Sequence, residues 1–179
     1  MSDLSWYGVG VGLILLIGGL MGWIVPARMQ AAMRSFPRHR VAAIMLTVVN
    51  VIWVTWLLIE TPLGRFESWK PALYVLSPAT LLAVIFFMDE LLAPRMLAGF
   101  LLLLAVPILD AARWHESPWR LILTTLVYIW IVWSMLVMLS PYRFRHTVEW
   151  CEEDGRQRIV TGVFAVVGAA LLVMGFFIY

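Results

Sequence analysis

Long apolar runs, bounded by charged residues, tryptophans or prolines, are the dominant pattern along this chain. An α-helix of about 20 mostly apolar residues is what crosses a hydrocarbon core of roughly 30 Å. The pattern therefore predicts six membrane-spanning helices, at residues 6–25, 41–59, 72–88, 96–109, 121–139 and 159–179. The fourth run is the shortest and carries Pro107 near its end, so a kinked or tilted helix is expected there.

The composition supports a membrane protein. Of the 179 residues 63% are hydrophobic and 13% are charged, whereas soluble domains have about 45–50% apolar and about 25% charged residues. A soluble fold of this size would bury only about 70% of the surface that its chain exposes, so it could not hide so much apolar surface. This excludes a cytosolic enzyme and a nucleic-acid-binding domain. We expect one all-α integral membrane domain over residues 1–179.

The arginines predict an orientation. The loops after predicted helices one, three and five hold nine of the thirteen Lys and Arg residues, and the opposite side holds four. Since cytoplasmic loops are enriched in Lys and Arg, both termini are expected outside a bacterial-type cytoplasmic (inner) membrane. The chain has ten tryptophans, and most of those at span ends form an aromatic belt at the predicted outer side: Trp6, Trp56, Trp69, Trp114 and Trp119.

The even-numbered helices begin alike, which suggests an internal repeat. In each, an arginine is followed three positions later by a small residue: Arg40 and Ala43, Arg95 and Ala98, Arg158 and Thr161. These starts indicate three helical hairpins related as parallel repeats. The alternative is that any helix leaving the cytoplasm tends to start with an arginine whose side chain reaches the headgroups.

Small residues predict the close helix contacts, because lipid gives apolar helices no hydrophobic reason to associate and close backbone approach must replace it. Two G-x-x-x-G pairs lie in predicted helix one, and a small-residue stripe lies on one face of predicted helix six. The residues are Gly8, Gly12, Gly18 and Gly22 in the first helix, and Thr161, Ala165, Gly168 and Gly175 in the last. Packing within the chain and docking of another subunit both remain open.

Candidate chemistry is sparse. No ionisable residue lies near a predicted bilayer centre, where such residues usually mark a functional site, and no nucleophile-elbow, zinc-protease, P-loop or C-x-x-C motif is present. The sequence therefore implies no catalytic residue, metal site or cofactor, although bound lipid is expected. One polar cluster is predicted at the outer face, either as an interfacial salt-bridge network or as a site: Glu60, Asp110, Arg113, His115 and Glu116.

The basic loops are expected to contact anionic lipid head groups, at roughly 1 kcal/mol per residue near the surface. Nucleic acid is not expected as a partner, because most of the chain lies in lipid and few aromatic residues are interleaved with the basic ones. The candidate lipid contacts are Arg28, Arg34, Arg38, Arg40, Arg143, Arg145, Arg156 and Arg158.

The leading functional hypothesis is a non-catalytic polytopic subunit, scaffold or assembly factor of a larger membrane complex. Trp130 and Trp133, near the middle of predicted helix five, could contact a partner helix, a quinone or a pigment. A first alternative is a small oligomeric transporter or channel with a path lined by Thr47, Asn50, Thr80 and Thr125. A second is a membrane enzyme that acts on lipid at the outer face through Glu60, Asp110 and His115.

Overall fold

The chain is all-α in a computed structural model that describes residues 3–62, 64–87, 91–152 and 156–177. In order, the helices are α1 (Asp3–Ile24), α2 (Pro26–Ser35), α3 (Arg40–Glu60), α4 (Lys70–Phe87), α5 (Leu92–Arg113), α6 (Arg120–Leu139), α7 (Tyr142–Glu152) and α8 (Arg156–Phe177). Short 3₁₀ turns cover Phe36–Arg38 and Gly64–Trp69. Six helices are long and apolar enough to cross a membrane: α1, α3, α4, α5, α6 and α8.

The six predicted spans are confirmed, but the fourth is longer than expected. The sequence predicts residues 96–109, whereas α5 runs over 22 residues from Leu92 to Arg113. At 1.5 Å per residue it is about 33 Å long, enough to cross a bilayer. The apolar window ends near Arg95 and Asp110, yet the helix continues past both, because charged side chains in a terminal turn can reach out of the membrane. Pro107 lies inside this helix.

Two predicted loops are helical. Pro26 is the first residue of α2, and Pro141 immediately precedes α7. Proline favours a helix start because its fixed φ suits the first turn and its missing N–H would be unpaired there anyway. The two short helices contact each other. We call the end of the bundle that they form, together with the first turns of α3, α5 and α8, the basic end, and the other end the opposite end.

The spans do not pack as the predicted hairpins. The most extensive contact joins α1 to α8, the first and last spans, which run antiparallel; α5 packs against α6 and α3, and α3 also packs against α4. The predicted hairpin partners, α1 with α3, α4 with α5 and α6 with α8, make at most marginal contact among the described residues. The pairing follows the small residues, because α1 and α8 can approach each other more closely than either can approach its neighbour in sequence.

The buried core lies between α1, α5, α6 and α8. Its fully enclosed side chains include Leu4, Ile108, Leu123 and Leu171. A smaller cluster at the basic end joins α5 and α6 to α7. In contrast, α4 has no buried residue among those described. Its main contacts are with α3 and with the turn before it, and Val84 packs against a small cluster formed by Ala43, Leu92 and Ala93. The bundle thus has a packed half, formed by α1, α5, α6 and α8, and an arm, formed by α3 and α4.

Candidate functional site

The predicted small-residue stripes of α1 and α8 face each other. A Cβ atom placed on Gly19 would lie 2.5 Å from the backbone nitrogen of Ala165 and 2.6 Å from the carbonyl oxygen of Thr161. One placed on Gly12 would lie 2.9 Å from the carbonyl oxygen of Gly168. No side chain fits at these separations. We call this contact the glycine seam; it comprises Gly12, Gly19, Gly22, Thr161, Ala165, Gly168 and Gly175.

Gly18, one of the predicted small residues, lies outside the seam, and Gly19, which the motif did not indicate, lies in it. A Cβ on Gly18 would meet nothing within 4 Å, whereas the neighbouring Gly19 has the backbone of α8 against it. Of the motif Gly18-x-x-x-Gly22, only Gly22 lies in the seam, since a Cβ there would collide with the Thr161 side chain. Gly18 lies on a face of α1 that is turned away from α8. The spacing from Gly8, which is buried, identifies the correct face: steps of four, seven and three residues follow the helical period.

The two mid-helix tryptophans also pack within the chain. Trp130 is partly buried against the core between α1, α5, α6 and α8, and its Nε1 is buried without a hydrogen-bond partner in the described part of the chain. Trp133 is partly buried, and its ring centroid lies 6.1 Å from that of Phe144 in α7. Both indoles therefore contribute to the internal core.

The uncharged polar groups of the spans mainly satisfy one another or the backbone. Asn50 Nδ2 donates to the carbonyl oxygen of Met96, at 2.7 Å, and joins α3 to α5. Thr55 Oγ1 donates to Ser77 Oγ, at 2.7 Å, and joins α3 to α4. Thr47 is fully buried and donates to the carbonyl oxygen of Ala43 in its own helix.

The residues of the predicted transport path are not gathered around one path. Thr47 is enclosed in α3, and Asn50 is partly buried between α3 and α5. Thr80 is exposed on α4, and Thr125 is exposed on α6. Since α4 and α6 make no substantial contact within the described residues, these four side chains offer no continuous polar lining.

A cleft at the opposite end brings part of the predicted polar cluster together. It has a volume of about 610 Å³ and lies between the first turns of α1 and the last turns of α5. Asp110 and His115 line it, and Asp3 and Tyr7 join them from α1, which no sequence spacing indicated. Its remaining lining is mostly apolar or aromatic: Leu4, Trp6, Pro107, Ala111 and Trp114.

The other three residues of that cluster do not line the cleft. Glu60 accepts a hydrogen bond from the Trp56 indole at 2.8 Å, one turn away in α3, and Arg113 and Glu116 are exposed elsewhere on the same end. His115 Nδ1 accepts from the backbone N–H of Ser117 at 3.2 Å. Among the described residues, no group of three or more His, Cys, Asp and Glu side chains could hold a metal ion.

Arg120, which the cluster prediction omitted, has a structural role. Its guanidinium donates to the carbonyl oxygens of Ala112, Arg113 and His115. These are terminal carbonyls of α5 and of the turn after it, which the helix itself cannot pair. A cation there also interacts favourably with the helix dipole. Arg120, the first residue of α6, therefore caps the C-terminal end of α5 and fixes the connection between the two helices.

The predicted lipid-contacting arginines all lie at the basic end. Seven are exposed, and Arg156, which is partly buried, places its guanidinium 5.1 Å from the ring centroid of Trp150. Below them, Gln30 Nε2 donates to Gln157 Oε1 at 2.6 Å and ties α2 to α8. The exposed arginines are Arg28, Arg34, Arg38, Arg40, Arg143, Arg145 and Arg158.

The same end contains a second cavity, of about 340 Å³, between the first turns of α3 and α5 and the last turn of α4. Its rim is formed by three consecutive basic residues, Arg38, His39 and Arg40. Its walls are apolar: Pro37, Ala43, Ile44, Ile85, Leu92 and Ala93.

The fold and its apolar spans define a multi-pass, all-α membrane protein. No family model matches the chain, and no curated protein or solved structure shows detectable similarity to it. A function for this chain therefore has to be argued from its own geometry.

Proposed function

We propose that the protein is a non-catalytic subunit or assembly factor of a larger membrane complex, and that α4 packs against a transmembrane helix of another protein. The observation that carries this proposal is that α4 buries no described residue within its own chain. In lipid a helix is held in place by van der Waals packing and interhelical hydrogen bonds. Within its own chain, α4 has little van der Waals packing. Among the described residues it has one interhelical hydrogen bond, from Thr55 to Ser77.

The exposed face of α4 has the chemistry that a partner helix needs. Ala79 and Ala83 are both exposed and lie one turn apart, with Thr80 beside them. Such a pair of small residues at i and i+4 lets two helix backbones come close, and a threonine there can add a hydrogen bond across the interface. The small residues of the glycine seam are already in contact within the chain, so we assign the exposed face of α4 to the partner.

The alternative functions find less support. The residues of the transport path are dispersed over three helices. Of the three residues proposed for the outer-face enzyme, Glu60 does not line the cleft that contains Asp110 and His115. Asp110 and His115 do meet in the cleft at the opposite end. The rest of the lining of that cleft is mostly apolar or aromatic.

We further propose that the basic end faces the cytoplasm of a bacterial-type inner membrane, with both termini outside. The nine-to-four distribution of Lys and Arg supports this orientation. With Cys151 replaced, a cysteine introduced at Ser68 should react with an impermeant reagent in intact cells, and one at Ser35 only after permeabilisation. Labelling at position 35 in intact cells would overturn the orientation.

The partner assignment is tested by photocrosslinking from α4. A crosslinking residue at position 83 should capture a different integral membrane protein, and the double variant Ala79→Leu and Ala83→Leu should release that protein in mild detergent. The matched control is Ala169→Leu with Ala170→Leu, two exposed alanines of α8, which should retain the partner. Crosslinks to a second copy of this chain, or a partner retained by the α4 variant, would overturn the proposal.

A further inference from the structure

We propose that the cavity at the basic end is a site for one anionic diacyl phospholipid, with its phosphate at Arg38 and Arg40 and an acyl chain between α4 and α5. This inference goes beyond the proposed partner function and does not depend on it. It is also more specific than a general attraction of the basic end to anionic membranes, because it assigns two of the arginines and one groove.

The position of the cavity requires an amphiphilic ligand. Its rim is at the ends of the spans, where head groups lie, and its walls are side chains of the spans themselves. Ile44 of α3, Ile85 of α4 and Leu92 of α5 come from three different helices. A ligand that fills this space must therefore be charged or polar at one end and apolar at the other, as a phospholipid is.

The positive charge at the rim of the cavity favours an anionic head group. Arg38, His39 and Arg40 are consecutive and exposed, and no hydrogen bond or ion pair of the two guanidinium groups occurs among the described residues. Arginine offers a planar fork of donors that matches phosphate oxygens. Basic pockets between transmembrane helices are a known way for proteins to bind anionic head groups.

His39 adds a third donor. Its Nδ1 accepts a hydrogen bond from the backbone N–H of Ala42, at 3.2 Å, and so caps the start of α3. Because Nδ1 acts as the acceptor, the ring proton of neutral His39 is on Nε2. The cap thus holds an Nε2–H donor at the rim between the two arginines.

The apolar part of the site coincides with a gap in the helix packing. α4 and α5 each pack against α3 but make little contact with each other in the described residues. The cavity lies between them. Ala43 and Ala93, which line it, leave space for a ligand because their side chains are single methyl groups. An acyl chain lying there would contact α4 through Ile85 and add to the packing that α3 gives this helix.

The test is a lipid titration of the delipidated protein in mild detergent. Phosphatidylglycerol should bind with saturation and raise the unfolding temperature, and phosphatidylcholine with the same acyl chains should do neither. Native mass spectrometry should retain one phosphatidylglycerol per chain. Equal binding of both lipids would overturn the assignment of an anionic site.

Two pairs of variants separate a site from general surface charge. Arg38→Gln with Arg40→Gln should weaken phosphatidylglycerol binding about thirtyfold, since each arginine near the surface contributes about fivefold. The control, Arg28→Gln with Arg143→Gln, removes the same charge from exposed positions outside the cavity and should change the affinity less than threefold. Equal losses in both pairs would show unspecific attraction and overturn the proposal.

The acyl chain is tested by filling the groove. Ile44→Trp should reduce phosphatidylglycerol binding with the basic rim intact, and Ile85→Trp gives the same test from α4 if the first variant misfolds. Inorganic phosphate and glycerol phosphate should not compete at concentrations near that of the lipid. Competition at equal concentration, or unchanged binding in a folded groove variant, would show a bare anion site and overturn the proposal.

Discussion

The glycine seam and the α3–α4 contact are two helix pairs of similar apolarity in the same chain, yet they are packed very differently. In α1 seven residues are buried, three of them in the seam, whereas α3 has two buried residues and α4 has none among those described. At the seam, backbone lies against backbone; between α3 and α4 the main specific contact is the hydrogen bond from Thr55 to Ser77. The difference shows that small residues determine which apolar helices pack closely in lipid.

The largest expected effect comes from inserting a side chain into the seam. Gly19→Leu should greatly reduce the yield of folded protein, because overpacking costs about 3 kcal/mol and even a Cβ added at this position would lie 2.5 Å from a backbone atom of α8. Yield and monodispersity after detergent extraction would measure the loss. Gly18→Leu is the control on the adjacent position, where a Cβ has open space, and should behave as the original chain. Similar losses in both variants would show that the seam is wrongly placed.

A smaller effect is expected in the arm. Thr55→Val removes the donor to Ser77 and should lower the free energy of unfolding by about 0.6 kcal/mol, with about 1.7 kcal/mol as the upper range for such bonds. The measurement is unfolding in mixed micelles, followed by far-ultraviolet circular dichroism. Thr124→Val is the matched control, because Thr124 Oγ1 donates only to a carbonyl of its own helix in the described structure. A loss at Thr55 as large as that at Gly19 would remove the contrast between the two regions.

The smallest effect tests whether the packed half is complete without a ligand. Trp130→Phe removes an indole Nε1 that is buried without a partner. Relief of an unsatisfied donor, about 1–3 kcal/mol, is offset by the space that the smaller ring leaves, so the net change in unfolding free energy should be below about 0.5 kcal/mol. The same micelle unfolding assay measures it. A loss well above 2 kcal/mol would contradict this balance and show that the indole contributes more packing or hydrogen bonding than the structure of this chain accounts for.

The spans could be predicted from the sequence because their length and apolarity are properties of consecutive residues. Their pairing could not, because the helices are apolar around most of their circumference and no polar face marks the outside. Gly18 and Gly19 illustrate the limit: both lie among small residues, and the motif selected the position that faces open space. The helices α2 and α7 were missed because their polar residues resemble loops, although Pro26 and Pro141 were visible as helix-start signals.

The candidate sites were predictable to the extent that their residues are neighbours in sequence. Arg38, His39 and Arg40 are consecutive, and their basic character was evident. The apolar groove beneath them was not, because Ile44, Ile85 and Leu92 come from three helices. In the same way, Asp3 and Tyr7 line one cleft with Asp110, although more than a hundred residues separate them in the sequence. This arrangement depends on the packing of α1 beside α5.

The glycine seam also affects the order in which the helices can pack during synthesis. Of the six spans, α1 is synthesised before the others, and its partner α8 is separated from it by the whole of α2 to α7. At roughly 5–20 residues per second, the ribosome needs on the order of 10–30 s to deliver α8. For that interval the close-packing face of α1 has no native helix to receive it, so nascent chains stopped before α8 should be the species most prone to wrong pairing or to capture by membrane chaperones.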